Sequence, residues 1–305
     1  MRGVAVPGRE LVTELPRRRG GLAAALAALR PRQWLKNLLL FAGIVFAEQI
    51  GDPTLWAKAI AAFAAYCAAS SAAYIFNDVL DAPYDRAHPA KRRRPIARGE
   101  LSSRRGLAIA AALAAAAVAT AAALGLGSVL LLLGFLLVQA AYTIRLKQLV
   151  LIDVLAIALL FVIRAAAGAE AVDVPISPWL LVCTFLLALF LALAKRRAEL
   201  AVVGARAAPG RLVLERYSLG LVDQLIAVVT AATIVSYALY TFLGRDSKAF
   251  MVTIPIVVFG LFRYLLLLHR KDVGEEPERV LLTDGPIIAA VMLWILAAMV
   301  VPALS

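Results

Sequence analysis

The sequence predicts an all-α, polytopic membrane protein of nine transmembrane helices, and three observations predict it. Of 305 residues, 63% are hydrophobic, and they fall in runs of roughly 17 to 25, the length a helix needs to cross a bilayer. Charged residues make up only 17% of the chain and gather between those runs. When the runs are threaded as nine helices, the bases sort to one face. Strands are excluded because an open edge would leave backbone groups unsatisfied in lipid, and the runs are too long and uniformly apolar for barrel strands.

In chain order, residues 1–33 form a cytoplasmic N-terminal segment and 34–305 the membrane domain. Within the first, Gly21–Leu29 reads as a short interfacial helix flanked by arginines that suit anionic headgroups. Arg2, Arg9, Arg17, Arg18 and Arg19 are not followed by a short apolar stretch with a cleavage site, so no removable signal peptide is expected. Apolar runs bounded by loop signals then place spans at Trp34–Ile50, Ala57–Leu80, Arg105–Leu124, Ser128–Ile144, Leu151–Ala169, Pro178–Ala194, Leu219–Leu243, Phe250–Leu268 and Pro286–Pro302. Asp284, in Thr283-Asp284-Gly285-Pro286, reads as the N-terminal cap of the last span. Ala110–Ala123 allows close helix approach, which serves packing ahead of any lipid groove.

Most of the 32 Lys and Arg then lie on one face. They precede the first span, run from Arg86 to Arg105, include Arg145 and Lys147, continue from Lys195 to Arg216, and end with Arg270, Lys271 and Arg279. Lys58, Arg245 and Lys248 lie on the other face. The positive-inside rule therefore makes the N-terminus cytoplasmic and the C-terminus external in a multi-pass plasma membrane protein. The formal charge of +12 belongs to these loops rather than to a basic globular surface, so nucleic acid is not an expected partner. Cys67 and Cys183 fall inside apolar runs and read as small core residues. The oligomeric state is open, and a homo-oligomer is compatible with the sequence.

Chemistry concentrates where the second span meets the cytoplasm, at Asn77-Asp78-Val79-Leu80-Asp81-Ala82-Pro83-Tyr84-Asp85. Spacings of three and four put Asn77, Asp78, Asp81 and Asp85 along one stripe of a helix. Oxygens so placed suit Mg²⁺, which takes one or two protein carboxylates, several waters and substrate phosphates. Pro83 is positioned to end or kink the helix. Arg86, His88, Lys91, Arg92, Arg93, Arg94 and Arg98 follow at once, so acids for a metal adjoin bases for anionic oxygens. Arg164 and Asp223 are intramembrane ionisable groups, for which a functional role and a buried structural pair are equally open.

The Asn77-Asp78-x-x-Asp81-x-x-x-Asp85 motif, with Lys91 and Arg94-Pro95-Ile96-Ala97-x-Gly99-x-Leu101-Ser102, resembles the first signature of the UbiA-type intramembrane prenyltransferase superfamily. Tyr142-Thr143-x-x-Leu146-Lys147 resembles that family's element after the fourth helix. The resemblance implies nine helices around a central cavity open to the cytoplasmic side, with Mg²⁺ held by Asn77, Asp78, Asp81 and Asp85. It would make 34–305 a catalytic domain. A second aspartate motif is typical near the sixth helix. Here Lys195-Arg196-Arg197-Ala198-Glu199-Leu200 supplies bases instead. That stretch and Arg30-Pro31-Arg32-Gln33-Trp34-Leu35-Lys36-Asn37 resemble the decaprenyl-phosphate phosphoribosyltransferase branch.

That branch implies transfer of 5-phosphoribose from phosphoribosyl pyrophosphate to a polyprenyl (decaprenyl) phosphate in the lipid bilayer, toward the arabinose donor of mycobacterial-type cell walls. Asp78, Asp81 and Lys147 are the expected catalytic residues. Lys91, Arg94, Tyr142 and Lys147 are candidates for diphosphate oxygens, and Lys36, Asn37, Lys195, Arg196 and Arg197 for the other phosphates. Attack opposite the leaving group predicts inversion at the anomeric carbon. The alternatives are a prenyltransferase acting on an aromatic or tetrapyrrole acceptor, and a polyprenyl-phosphate transporter, which the absence of an evident inverted repeat disfavours.

Overall fold

The structure, a computed structural model, describes residues 19–46, 51–87, 91–203, 212–244, 248–270, 280 and 283–304, and every regular element among them is helical. Arg2, Arg9, Arg17, Arg18, Ile50, His88, Arg245, Lys271 and Arg279 lie outside the described residues. The elements are α1 (Gly21–Leu29), a 3-10 segment (Pro31–Phe41), α2 (Ala42–Phe46), α3 (Pro53–Ala87), α4 (Ser103–Leu124), α5 (Leu126–Ile144), α6 (Ile152–Ala171), α7 (Pro178–Val203), α8 (Leu219–Leu243), α9 (Ile254–His269) and α10 (Gly285–Leu304). Seven of them, α3 to α9 with the 3-10 turn Lys248–Thr253 counted into α9, are long and apolar enough to cross a membrane. The chain is therefore a multi-pass membrane protein. Of the nine expected spans, the last is the shorter apolar helix Gly285–Ala298 within α10, and the first is not one α-helix.

That first span winds as 3-10 through Phe41 before α2 begins. Three residues per turn bring positions i and i+3 into line, so Trp34, Asn37, Leu40 and Gly43 share one face. The bundle uses that face. Trp34 Nε1 donates to Ser71 Oγ at 3.0 Å, and Asn37 and Leu40 are fully buried. At Gly43 the chain meets Gly168 of α6 backbone to backbone. A Cβ on Gly43 would lie 2.7 Å from the Gly168 carbonyl oxygen, and one on Gly168 would lie 2.2 Å from that of Leu40. Only glycine permits this approach.

Helix ends follow local chemistry. Ser102 and Ser218 cap α4 and α8 by accepting from Arg105 N and Leu221 N, and Asp284 accepts from Ile287 N at 3.0 Å as the cap expected for the last span. Asp284 also pairs with Arg263 at 2.9 Å. Along α4, Ala110, Ala117 and Ala121 are buried, and Leu113, Ala114 and Val118 pack partly buried against the same cores, so the small residues serve helix packing. Pro83 does not end α3, which continues to Ala87. Proline forfeits one backbone hydrogen bond there, near the end of the helix, and the last turn is held from outside by Arg94.

Candidate active site

About two and a half turns near the C-terminal end of α3 carry the acidic stripe. Asp78 and Asp85 are buried, Asn77 and Asp81 half-buried, as the three- and four-residue spacing requires. Asn77 Nδ2 donates to Asp81 Oδ2 at 2.9 Å, which orders those two side chains one turn apart. Burying carboxylates side by side is costly unless positive charge faces them. Three bases do so, each from a different part of the chain.

Lys147, just beyond α5, donates to Asp81 Oδ1 at 2.8 Å. Arg94 reaches Asp85 Oδ2 at 2.6 Å and Asp78 Oδ1 at 3.1 Å. Its backbone is anchored by the turn that follows, in which Gly99 takes φ 72 and Ile96 and Leu101 pack under α3 with Ile75 and Ala82. Arg30, from the corner between α1 and the 3-10 segment, is the third, and it also bonds to Asp78 Oδ1. Its guanidinium stands 5.2 Å from the Tyr74 ring centroid. Burial pulls the Arg30 pKa below its ordinary value and the Asp78 carboxylate opposes that pull. Asp78 Oδ2 is buried without a hydrogen-bond partner.

This donor set fits a hard divalent cation. All the groups are oxygens, and the stripe's most buried carboxylate keeps one oxygen bare. Among the described residues no three His, Cys, Asp or Glu side chains converge on a single point. Mg²⁺ does not require that, because one or two carboxylates plus water and phosphate oxygens complete its shell.

The second basic stretch is arranged differently. Arg196, on α7, is buried, and its Nε donates to Asp153 Oδ2 at 2.7 Å while Nη1 is held by Glu199. Asp153 Oδ1 accepts from Tyr217 OH at 2.7 Å, and that hydroxyl accepts from Leu151 N at 2.7 Å. Arg197 Nε reaches Asp223 Oδ1 at 2.5 Å and its Nη1 the Leu268 carbonyl at 3.0 Å. Sequence reasoning put Arg196 and Arg197 against phosphates. The structure pairs Arg196 with Asp153 and Arg197 with Asp223, brought in by α6 and α8, which no local spacing reveals. Tyr142 OH lies 3.4 Å from Arg196 Nη2, so the end of α5 serves both clusters. Lys36, Lys91 and Lys195 are half-buried.

Asn37 lies apart from the stripe. Its Oδ1 accepts from Arg164 Nε at 2.8 Å and its Nδ2 faces Cys67 Sγ at 3.3 Å. Cys67 is three turns before Asp78, about 16 Å along the helix. Arg164 also bonds the Leu160 carbonyl and stacks over Phe135 at 4.6 Å, so the pair is a tie within the membrane interior. Sequence reasoning did not single out Arg30 as a site residue or Asp153 as the partner of Arg196. An acid in the first turn of an apolar helix was a usable signal for Asp153. Arg30 joins Asp78 across 48 residues, and the sequence marked it only as the opening of the Arg30–Asn37 stretch. Beside Lys147, an apolar groove of about 360 Å³ lies between α5 and α6, lined by Leu137, Ala141, Leu146, Leu155 and Leu159.

A helical membrane bundle with three carboxylates and three bases gathered at the end of one helix fits the class of membrane-embedded enzymes. The UbiA prenyltransferase family model matches residues 37–283, and the chain belongs to that family. It is 32% identical over 289 residues to the decaprenyl-phosphate phosphoribosyltransferase of Mycolicibacterium smegmatis, a match covering 90% of this chain and 91% of that one. The Mycobacterium tuberculosis protein of the same name is 30% identical over 280 residues, covering 90% and 92%. Among solved structures, a UbiA homolog from Archaeoglobus fulgidus bound to GPP and Mg²⁺ superposes with a TM-score of 0.73. It is 22% identical and covers 90% of this chain and 99% of that one, a likeness of fold.

Proposed function

We propose that the protein transfers 5-phosphoribose from phosphoribosyl pyrophosphate to a polyprenyl (decaprenyl) phosphate, releasing diphosphate, in a Mg²⁺-dependent reaction at the cytoplasmic face of the plasma membrane. The observation that carries this reading is the α3 stripe, with Asp78, Asp81 and Asp85 faced by Arg30, Arg94 and Lys147. The choice of donor and acceptor rests on the relatives. Nine crossings around a cavity open to the cytoplasm, with the N-terminus inside and the C-terminus outside, belong to the same proposal.

Asn77, Asp78, Asp81 and Asp85 would hold Mg²⁺, which neutralises charge on a departing diphosphate. Lys147, Arg94 and Lys91 hold the diphosphate oxygens by charge-assisted hydrogen bonds. Lys36, Lys195 and Tyr142 position the remaining phosphates. A phosphate oxygen of the acceptor attacks the anomeric carbon as its bond to the diphosphate oxygen breaks, so that centre inverts. The acceptor is already an anion near neutral pH, so no strong general base is required. The groove beside Lys147 suits a stretch of the polyprenyl tail.

The test is purified protein with labelled phosphoribosyl pyrophosphate, decaprenyl phosphate and Mg²⁺, with chelator and Asp81→Ala controls. Label is expected in the lipid only with metal and only with wild-type protein. Prenyl transfer to an aromatic acceptor in place of that labelling would replace this reading.

A further inference from the structure

We propose that Arg30 is a phosphate-binding residue held in reserve, parked on Asp78 until a divalent cation takes that carboxylate and then turned over to the anionic oxygens of the donor. The proposal rests on the reading of the α3 stripe as a metal–phosphate site, and it concerns a residue that the spacing of the motif does not include.

Three features of the site lead to it. Asp78 is half satisfied: Oδ1 accepts from both Arg30 and Arg94, while Oδ2 is buried with no partner. A carboxylate in that condition has an unused acceptor where a cation can enter. The three carboxylates and the three bases paired with them also balance in charge. A dication entering the cluster leaves an excess of two positive charges in a partly buried place. That excess repels the guanidinium sharing the metal's carboxylate and draws in phosphate.

The third feature decides which base gives way. Arg94 keeps Asp85 when Asp78 is taken, and Lys147 keeps Asp81. Among the described residues, Arg30 has Asp78 as its ion-pair partner. Arg30 is also placed to move. It sits at the corner between α1 and the 3-10 segment with φ 52 and ψ 61, and its side chain is 25% exposed. Rotating that side chain shifts no spanning helix. The Tyr74 ring keeps the freed guanidinium at the mouth of the site by a cation–π contact. The planar fork then matches two phosphate oxygens at once.

The consequence is a pair of effects opposite in sign. Arg30 opposes the metal in the absence of donor and assists the donor in the presence of metal. A residue that merely supports the fold would weaken both on removal.

The experiment measures Mn²⁺ binding by electron paramagnetic resonance in the purified full chain, without anion and with either inorganic diphosphate or phosphoribosyl pyrophosphate. It compares wild type, Arg30→Ala and Arg30→Lys. Arg30→Ala is expected to bind Mn²⁺ several-fold tighter without anion, and either anion roughly tenfold more weakly with Mn²⁺ present. Arg30→Lys keeps the charge but loses the fork, so its Mn²⁺ affinity stays near wild type and its anion affinity falls between the other two. Unchanged or weaker Mn²⁺ binding in Arg30→Ala overturns the proposal, as does unchanged anion binding. If Arg30→Ala does not fold, Arg30→Lys decides alone, and wild-type anion affinity in that variant overturns the proposal. Failure of wild type to bind phosphoribosyl pyrophosphate while binding diphosphate tells against the donor assigned under the proposed function, and the diphosphate arm still decides the role of Arg30.

Discussion

On α3 the bases that face the carboxylates are partly exposed, with Arg30 at 25%, Arg94 at 23% and Lys147 at 23%. On α7 the pairing is closed, with Arg196 at 3%, Asp153 at 0% and Glu199 at 6%. The side-chain types are the same and the consequences differ. At the α3 stripe an incoming ion or phosphate can take over a partner, because both the base and its replacement reach solvent. In the α7 cluster each charged group is buried and hydrogen-bonded to groups of the protein itself, and exchange would require an uncompensated charge in a medium of low dielectric. Exposure of the counter-ion therefore distinguishes a site from a tie.

This contrast breaks most readily at Arg196. Arg196→Ala leaves Asp153 and Glu199 buried without their cation, and the expected loss is about 3–5 kcal/mol of stability, read as a large fall in the thermal midpoint of the detergent-solubilised protein. A midpoint near wild type would mean that the α7 cluster is not a structural tie. Asp81→Ala should do the reverse. Transfer falls by about 100-fold or more while the midpoint moves little, and a folded variant with full turnover would remove Asp81 from the metal site.

Lys147→Ala sharpens the same side of the comparison more gently. Losing one charge-assisted hydrogen bond to a phosphate oxygen should raise the donor KM roughly tenfold, with partial recovery in Lys147→Arg. An unaltered donor KM would leave Lys147 as no more than a counter-ion for Asp81. The smallest effect belongs to Tyr217→Phe, which removes the hydroxyl between Asp153 and Leu151 N at a cost of about 1–2 kcal/mol and spares transfer. Burial raises the Tyr217 pKa above its ordinary value. The folded protein thus keeps that proton where the unfolded chain has lost it. Stability from this group is complete below about pH 10 and declines as pH rises toward the folded value. Equal alkaline sensitivity in wild type and Tyr217→Phe would contradict this.

Particular residues show how far the sequence could be read. The acidic stripe was legible because its members lie within three turns of one helix, and helical periodicity alone aligns Asn77, Asp78, Asp81 and Asp85. The Gly21–Leu29 helix, the Asp284 cap and the spans from α3 to α9 were legible for the same reason, since apolar run length and local capping groups are properties of adjacent residues. The first span was misread as one α-helix. Its apolar content is the same in either winding, and what makes it 3-10 is the alignment of Trp34, Asn37, Leu40 and Gly43 against Ser71, Arg164 and Gly168.

By itself, then, the chain's order of residues determined that helices cross a membrane and that acids and bases meet at the end of one of them. The tertiary structure alone decided which base meets which acid. It brought Arg30 to Asp78 across 48 residues and Lys147 to Asp81 across 66, and it set Arg196 against Asp153 and Glu199 and Arg197 against Asp223. The physical reason is that a charge in a helical bundle is governed by whichever helix packs beside it, and packing partners are set by shape over the whole bundle rather than by neighbours in sequence.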